Sequence, residues 1–243
     1  MSAMKKSKFL QDKQRRQIVA SIYKRRTRRH PSRKILAWKL TVRGAQVCKR
    51  FFDIVLSLAA LVLLSPLMLA VAILIVLEDG GRIIYRQVRV GKDGRHFNFY
   101  KFRSMTDDAD RLKAGLQSSN QSSDGVIFKM HSDPRVTRIG RFIRKYSIDE
   151  LPQLFNVLAG DMSLVGPRPP LPEEVKLYTI EDRKRLHVLP GITCIWQVSG
   201  RSDIPFKAQV QLDKEYIMSQ GFWQDFKILL KTIPAVLTGR GAY

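Results

Sequence analysis

Two adjacent carboxylates, Asp149 and Glu150, lie a few residues after the basic pair Arg144-Lys145. Nearby cations favour the ionised form of a carboxyl group, and they also attract anionic substrates. Carboxylates that stay ionised among arginines suit chemistry on phosphate groups better than proton transfer on a neutral molecule. We therefore take Asp149 and Glu150 as the candidate catalytic residues.

The same segment also has a purely structural interpretation. Ser147 and Glu150 have the spacing of a capping box, and the helix macrodipole favours acidic side chains in the first turn. Apolar residues follow at i, i+3, i+4 and i+7, which predicts an amphipathic helix that begins near Ile148 and ends at Gly160. The local sequence leaves both interpretations open.

Arginines near the carboxylates provide candidate phosphate ligands. Arg168 lies between prolines, and a rigid turn there would fix a planar guanidinium for bidentate phosphate recognition. Four further arginines recur every three residues, which on a helix places them along one stripe: Arg135, Arg138, Arg141 and Arg144. We expect Arg135 and Arg138 to lie on a solvated face, and Arg144 to lie near Asp149.

The chain is strongly basic, with a formal net charge of +22 over 243 residues. Residues 1–47 form a basic arm, whose centre is the run of residues 24–29. Such an arm could bind nucleic acid or an anionic membrane leaflet, because both present phosphates. The 2 cysteines have no zinc-site spacing and make no disulfide framework, so a reducing, cytoplasm-facing location is expected.

Residues 54–77 contain no charged side chain, and this length and uniformity predict a membrane segment. Ser65-Pro66 lies almost at its centre, and proline removes a backbone donor and disfavours helical geometry at the residue before it. Each half is then roughly 16 Å long, about half of a hydrocarbon core. The residues alone leave open a re-entrant hairpin and a kinked spanning helix.

Two strands are predicted after the membrane segment, at residues 83–90 and 96–103, joined by a Gly/Asp turn. Lys101 and Arg103 share one face of the second strand. A helix is expected over residues 104–116, and a polar loop over residues 116–125. The chain is therefore predicted to be α+β, with a membrane-embedded segment and a small, mostly helical domain that carries a short β-hairpin.

Several of these motifs together resemble the bacterial sugar transferase family, the monotopic polyprenyl-phosphate phosphoglycosyl transferases. They occur in order and with close spacing from about Lys49 to Tyr243. The motifs are Lys49-Arg50-Phe51-Phe52-Asp53, Ser65-Pro66, Lys101-Phe102-Arg103-Ser104-Met105, Asp133-Pro134-Arg135, Ser147-Ile148-Asp149-Glu150-Leu151-Pro152-Gln153, Gly166-Pro167-Arg168-Pro169, Pro190-Gly191-Ile192-Thr193 and Trp196-Gln197-Val198-Ser199-Gly200-Arg201.

The resemblance implies transfer of a hexose-1-phosphate from a UDP-sugar to undecaprenyl phosphate, with release of UMP, as the first membrane step of exopolysaccharide, O-antigen or capsule synthesis. It implies that Asp149 is the nucleophile and a Mg²⁺ ligand, with Glu150 as its catalytic partner. Substrate-binding roles are expected for Lys101, Arg103, Arg144, Arg168, Gln197 and Arg201. Ser65 and Pro66 become the break of a re-entrant helix-break-helix.

The implied organisation is a basic arm at residues 1–47, a re-entrant hairpin at 48–80 and a cytoplasmic catalytic domain at 81–243 of the bacterial inner membrane. Membrane lipid is an expected partner and nucleic acid is not, while homo-oligomerisation is left open. The competing interpretations are a membrane-anchored nucleic-acid-binding protein and a non-catalytic scaffold. An Asp-x-Asp metal site at Asp108 and Asp110 is disfavoured, because no nucleotide-binding fold surrounds it.

Overall fold

The computed structural model describes residues 33–115, 130, 132–239 and 241. The described chain is α+β, with helices and two small two-stranded sheets, as the sequence predicts. It divides into two compact units, Met1–Cys48 and Lys49–Tyr243. The basic run at residues 24–29 and the polar loop at 116–125 lie outside the described residues.

Helices and strands are numbered here in chain order. The helices are α1 (Arg33–Asp79), α2 (Ala109–Gly115), α3 (Arg138–Lys145), α4 (Gln153–Ala159), α5 (Pro172–Lys176), α6 (Ile195–Ser199), α7 (Phe206–Ser219) and α8 (Phe222–Thr238). The strands are β1 (Ile84–Val90), β2 (His96–Phe102), β3 (Ser163–Val165) and β4 (Gly191–Thr193). Single turns of 3₁₀-helix lie at Lys92–Gly94, Ile148–Glu150 and Arg201–Asp203, and a longer one at Asp182–His187.

Helix α1 contains the predicted membrane segment. Among the described residues it is the one helix long and apolar enough to cross a membrane, over Arg43–Asp79, with a mean hydropathy of 3.0 in its most apolar stretch. It continues as a helix through Ser65 and Pro66, where Ser65 Oγ donates to the Val62 carbonyl at 2.8 Å. The re-entrant helix-break-helix therefore stays a prediction.

Strands β1 and β2 form the predicted antiparallel hairpin, in a register that places Ile84 opposite Phe102. The hairpin is fixed to the membrane helix, because Phe102 packs with Val71 and Ile75 of α1 and with Ile143 of α3. All four of these side chains are buried. One core cluster thus joins the hairpin, α3 and the carboxyl-terminal half of α1.

The segment after Ser147 differs from the predicted capping box. Ser147 adopts a left-handed conformation with φ of 54°, and its side chain makes no capping hydrogen bond. A 3₁₀ turn follows, and α4 begins only at Gln153, because Pro152 has no N–H to donate to a preceding carbonyl. The predicted end is confirmed: Gly160 closes α4 with φ of 92°, a conformation that favours glycine.

Strands β3 and β4 are parallel and bring two of the sequence motifs side by side. Val165 pairs with Thr193, and the Gly166 N–H donates to the Thr193 carbonyl at 3.0 Å. A Cβ on Gly191 would lie 2.0 Å from the Gly166 nitrogen. The two backbones can approach this closely only because both residues are glycine.

Candidate active site

One cavity of about 950 Å³ in the second unit collects most of the predicted site residues. Its polar wall comes from the 3₁₀ turn at Ile148–Glu150, strand β2, helix α3 and the segment after β3. Seven predicted residues line it: Lys101, Arg144, Asp149, Glu150, Arg168, Gln197 and Arg201. Leu64 and Leu67, which flank Ser65 and Pro66 in α1, line the same cavity.

Lys101 bridges the two carboxylates in the wall of this cavity. Its Nζ lies 3.2 Å from Asp149 Oδ2 and 2.6 Å from Glu150 Oε1. Asp149 is buried, with 5% of its surface exposed, and the side chain of Glu150 is 16% exposed. The carboxylates therefore lie in a largely buried, poorly solvated part of the cavity lining, where each charge interacts strongly with its neighbours.

The pKa values of the two carboxyl groups are shifted in opposite directions. Burial raises the pKa of Asp149 above its ordinary value, and the adjacent Glu150 charge adds to this, against the pull of Lys101 and Arg144. Burial also opposes ionisation of Glu150, but Lys101 and Arg168 outweigh it and hold the pKa of Glu150 below its ordinary value. The expectation that the surrounding cations keep both groups ionised thus fits Glu150 better than Asp149.

Three arginines complete the cationic wall. Arg168 Nη1 lies 4.0 Å from Glu150 Oε1, and Arg144 occupies the last turn of α3. Arg201 is held in a left-handed conformation, with φ of 52°; its burial lowers its pKa, and the Glu150 carboxylate opposes that shift. These cations surround an acidic pair, and such a cluster of guanidinium groups suits a substrate that carries several phosphate charges.

The structure places Arg103 and Arg135 in ion pairs. Arg103 is not part of the cavity lining, whereas Arg135 and its partner Asp133 line the cavity. The guanidinium of Arg103 pairs with Asp79, at the end of α1, and with Asp107. Arg135 is buried and pairs with Asp133 at 2.6 Å. The expected solvated face is wrong for Arg135, because a carboxylate two residues earlier neutralises its charge. Arg138 is exposed, as expected.

Sequence reasoning missed Arg89, a buried arginine of β1 whose Nη1 donates to the Pro169 carbonyl at 3.0 Å. It lies beside the turn that carries Arg168, although 79 positions separate the two in the chain. The one indication in the local sequence is that a basic residue lies in a predicted strand, where such a side chain is ordinarily exposed to solvent. Glu174, in α5, also lines the cavity and was not singled out.

The donor set fits a magnesium ion that is shared with the substrate. Mg²⁺ usually binds through one or two carboxylates together with substrate phosphates. Asp149 and Glu150 supply the carboxylates, and the Lys101 ammonium already marks a position between them that favours a cation. Among the described residues no cluster of three or more His, Cys, Asp or Glu side chains could hold a metal by itself.

Comparison with known proteins gives a family match that spans most of the chain. A sequence profile of the bacterial sugar transferase family matches residues 44–239, which include the membrane segment and every residue of the cavity except Gly241. The chain belongs to the bacterial sugar transferase family. The predicted resemblance is therefore confirmed.

Individual members of the bacterial sugar transferase family match over most of this chain. Galactosyl transferase CpsE of Streptococcus agalactiae is 49% identical over 200 residues, which cover 81% of this chain and 43% of CpsE. Undecaprenyl-phosphate galactose phosphotransferase of Salmonella typhimurium is 44% identical over 84% of this chain and 43% of its own length. This chain thus spans less than half of these two relatives.

A third member has a length closer to that of this chain. Exopolysaccharide production protein ExoY of Sinorhizobium fredii is 41% identical over 200 residues, which cover 81% of this chain and 88% of ExoY. The matched region thus makes up nearly all of one family member and less than half of others.

Proposed function

We propose that this sugar transferase moves a hexose-1-phosphate from a UDP-sugar to undecaprenyl phosphate and releases UMP. The names of two relatives support the acceptor, since both are undecaprenyl-phosphate phosphotransferases, one for galactose and one for glucose. A further relative is named as a UDP-galactose-lipid carrier transferase, which supports the donor. The reaction would begin the assembly of an exopolysaccharide, O-antigen or capsule.

The observation that carries this proposal is the mixed lining of one cavity. Its polar side holds two carboxylates among Lys101, Arg144, Arg168 and Arg201, which suits a donor with a diphosphate. Its apolar side includes Leu64 and Leu67 of the membrane helix, which suits an acceptor that arrives from the lipid phase. A water-soluble donor and a lipid acceptor could therefore meet at one pair of carboxylates.

The first step would be a displacement at the phosphorus that carries the sugar. An oxygen of the Asp149 carboxylate attacks this atom, the bond to the bridging oxygen of the diphosphate breaks, and UMP leaves with the electron pair. Arg168 and Arg144 would neutralise the charge on the phosphate oxygens. Asp149 and Glu150 would hold Mg²⁺, which supplies further neutralisation of the diphosphate when bound. The product is an acyl phosphate that links Asp149 to the sugar.

The second step would transfer the sugar phosphate to the lipid. A phosphate oxygen of undecaprenyl phosphate attacks the same phosphorus, the bond to the Asp149 oxygen breaks, and the free carboxylate returns. Glu150 stays ionised because Lys101 and Arg168 outweigh its burial, so it suits positioning Lys101 and the metal better than accepting a proton. Gln197 lines the same cavity and would contact the donor.

We further propose that the membrane segment is re-entrant, with both ends at the cytoplasmic face of the inner membrane. Its first end contacts the catalytic domain, since Lys49 Nζ lies 2.5 Å from Asp225 and Arg50 donates to the Leu158 carbonyl at 2.9 Å. Its other end contacts the same domain, since Glu78 accepts from the Arg138 N–H at 2.7 Å. A straight helix would separate these ends by roughly 44 Å, more than a hydrocarbon core.

An aromatic surface next to the first end of the segment supports a position at the membrane. Phe222, Trp223 and Phe226 of α8 are all exposed, and the Phe222 ring lies 5.2 Å from that of Phe52 in α1. Aromatic side chains of this kind are favoured at the boundary between lipid and water. The aromatic surface thus extends the apolar face of α1 along the catalytic domain.

A transfer assay tests the proposed function. Membranes that contain the full chain would receive undecaprenyl phosphate, Mg²⁺ and radiolabelled UDP-galactose or UDP-glucose. We expect label in the lipid fraction with the wild type and with Asp108→Asn, an exposed carboxylate control, and none with Asp149→Asn. Equal transfer by Asp149→Asn would contradict the proposal. Absence of turnover, together with salt-dependent DNA binding, would favour the nucleic-acid-binding alternative.

A further inference from the structure

The turn that carries Arg168 is held at three of its backbone carbonyls. The Pro167 carbonyl accepts from the Gly191 N–H at 2.9 Å, on the β4 side. On the β1 side, the Pro170 carbonyl accepts from the Val90 N–H at 2.9 Å and the Pro169 carbonyl accepts from Arg89 Nη1 at 3.0 Å. Of these three donors, the Arg89 guanidinium is the only one that a side-chain substitution removes.

Arg89 is itself fixed by contacts inside the protein. Its Nε and Nη2 both donate to Gln87 Oε1, at 3.0 Å and 2.7 Å, and its guanidinium lies over the Phe99 ring at 5.2 Å. Only 7% of the residue is exposed. The ion pairs of the described residues do not include Arg89, so its buried charge is not neutralised by a carboxylate in direct contact.

A buried cation without a paired carboxylate is costly to the fold. Burial lowers the pKa of Arg89 to about 10, and repulsion from Arg168 adds to that shift. An apolar side chain at this position would avoid the cost but would leave the Pro169 carbonyl without this donor.

The charge repulsion also acts on Arg168, whose side chain is 38% exposed and approaches Glu150. The repulsion from Arg89 and the attraction of Glu150 both favour an Arg168 guanidinium that points into the cavity.

We propose that Arg89 is a positioning residue for Arg168: it fixes the Pro169 carbonyl and directs the Arg168 guanidinium toward the phosphates of the donor. The inference rests on the proposed function, because it gives Arg168 the task of binding the donor phosphates. Arg89 does not touch the substrate. Its effect on activity passes through Arg168, which separates this role from a general contribution to folding.

A double-mutant cycle on the full chain in membranes tests the proposal. Arg89→Gln, Arg168→Ala and the double variant would be compared by kcat/KM for the UDP-sugar and by the Kd of Mg²⁺-UDP. We expect Arg89→Gln to lower kcat/KM by roughly 100-fold, the size of loss produced by misplacing a binding group by about 1 Å. The double variant should lose no more than Arg168→Ala alone.

Matched variants keep the outcome interpretable. Arg86→Gln changes an exposed arginine of the same strand and should stay within about twofold of the wild type. Arg89→Lys retains the charge but not the planar fork, so it should fold like the wild type and still bind Mg²⁺-UDP more weakly. Thermal unfolding of each variant shows whether the loss is one of folding.

Any one of three results would overturn the proposal. The first is a double variant whose loss in kcat/KM is the product of the two single losses. The others are wild-type kinetics in Arg89→Gln while Arg168→Ala is impaired, and Mg²⁺-UDP binding by Arg89→Lys that is as tight as that of the wild type. A failure of the proposed function looks different, because the wild type would then turn over no UDP-sugar. In that case the cycle measured by the Kd of Mg²⁺-UDP alone still decides the role of Arg89.

Discussion

Asp149 and Glu150 are neighbours in the chain whose pKa values are shifted in opposite directions. Asp149 is the more deeply buried, and its raised pKa reflects a carboxylate that gains too few contacts to offset lost hydration. Such a group is poorly solvated and reactive when ionised, as a nucleophile should be. Glu150 is stabilised as an anion by Lys101 and Arg168, which suits a residue that holds other groups in place.

Replacement of each carboxylate by its amide should therefore affect folding in opposite directions. A raised pKa for Asp149 stabilises the fold at low pH, and this contribution is lost as the pH rises through the raised value. A lowered pKa for Glu150 stabilises the fold above its unfolded value and is lost as the pH falls. In Mg²⁺-free buffer at neutral pH, we expect Asp149→Asn to unfold at a temperature no lower than the wild type, and Glu150→Gln to unfold below it.

The activities of the same two variants should also differ. Asp149→Asn should abolish turnover, because an amide cannot form the acyl phosphate, whereas Glu150→Gln should retain a residual rate. Asp108→Asn is the control for both measurements, since Asp108 is exposed and pairs at the surface with Arg111. A strong loss of thermal stability in Asp149→Asn at neutral pH would contradict the electrostatic assignment.

Short-range patterns predicted the polar side of the cavity, because each motif couples a functional side chain to a local constraint such as a proline or a glycine. They did not indicate the ion pair of Arg103 with Asp79, and the pair of Arg135 with Asp133 was overlooked although only two positions separate its members. Asp79 lies 24 residues before Arg103, and nothing in either motif relates the two. Arg89 was missed for the same reason, since its contact with Pro169 spans 80 residues.

At the level of elements, α1 contacts the rest of the second unit on both sides of its charge-free run. Besides the contacts of Lys49 and Arg50, Asp53 accepts from the Leu164 N–H at 3.0 Å, directly after the start of β3. Near the other end, Val71 and Ile75 pack in the core with Phe102. The charge-free run and Pro66 were readable from sequence, but these long-range contacts were not. They are the physical reason to favour a re-entrant segment.

Cysteine labelling tests this topology. In a Cys48→Ser background, which removes the exposed native thiol, single cysteines would be placed at Gly44 and Arg82 on either side of the segment. We expect neither to react with a membrane-impermeant thiol reagent in intact spheroplasts, and both to react after permeabilisation. Labelling of only one of the two in intact spheroplasts would establish a spanning helix.

At the scale of the whole molecule, the described part of the second unit carries two kinds of surface, one apolar and one cationic. The apolar surface comes from α1 and the aromatic side chains of α8, and the cationic surface lines the cavity. The overall excess of positive charge fits a protein that works among lipid and nucleotide phosphates. The fold class followed from the alternation of strand and helix patterns, whereas the convergence of six motifs on one cavity required tertiary structure.

The central claim is that Asp149 carries the sugar phosphate between donor and acceptor. Its most direct test is incubation of the purified full chain with Mg²⁺ and UDP-sugar in the absence of lipid. We predict release of about one UMP per active site, and a peptide containing Asp149 that gains the mass of a hexose phosphate. Release of UMP only when undecaprenyl phosphate is present, with no adduct on that peptide, would contradict the account and leave Asp149 as a metal ligand in a direct transfer.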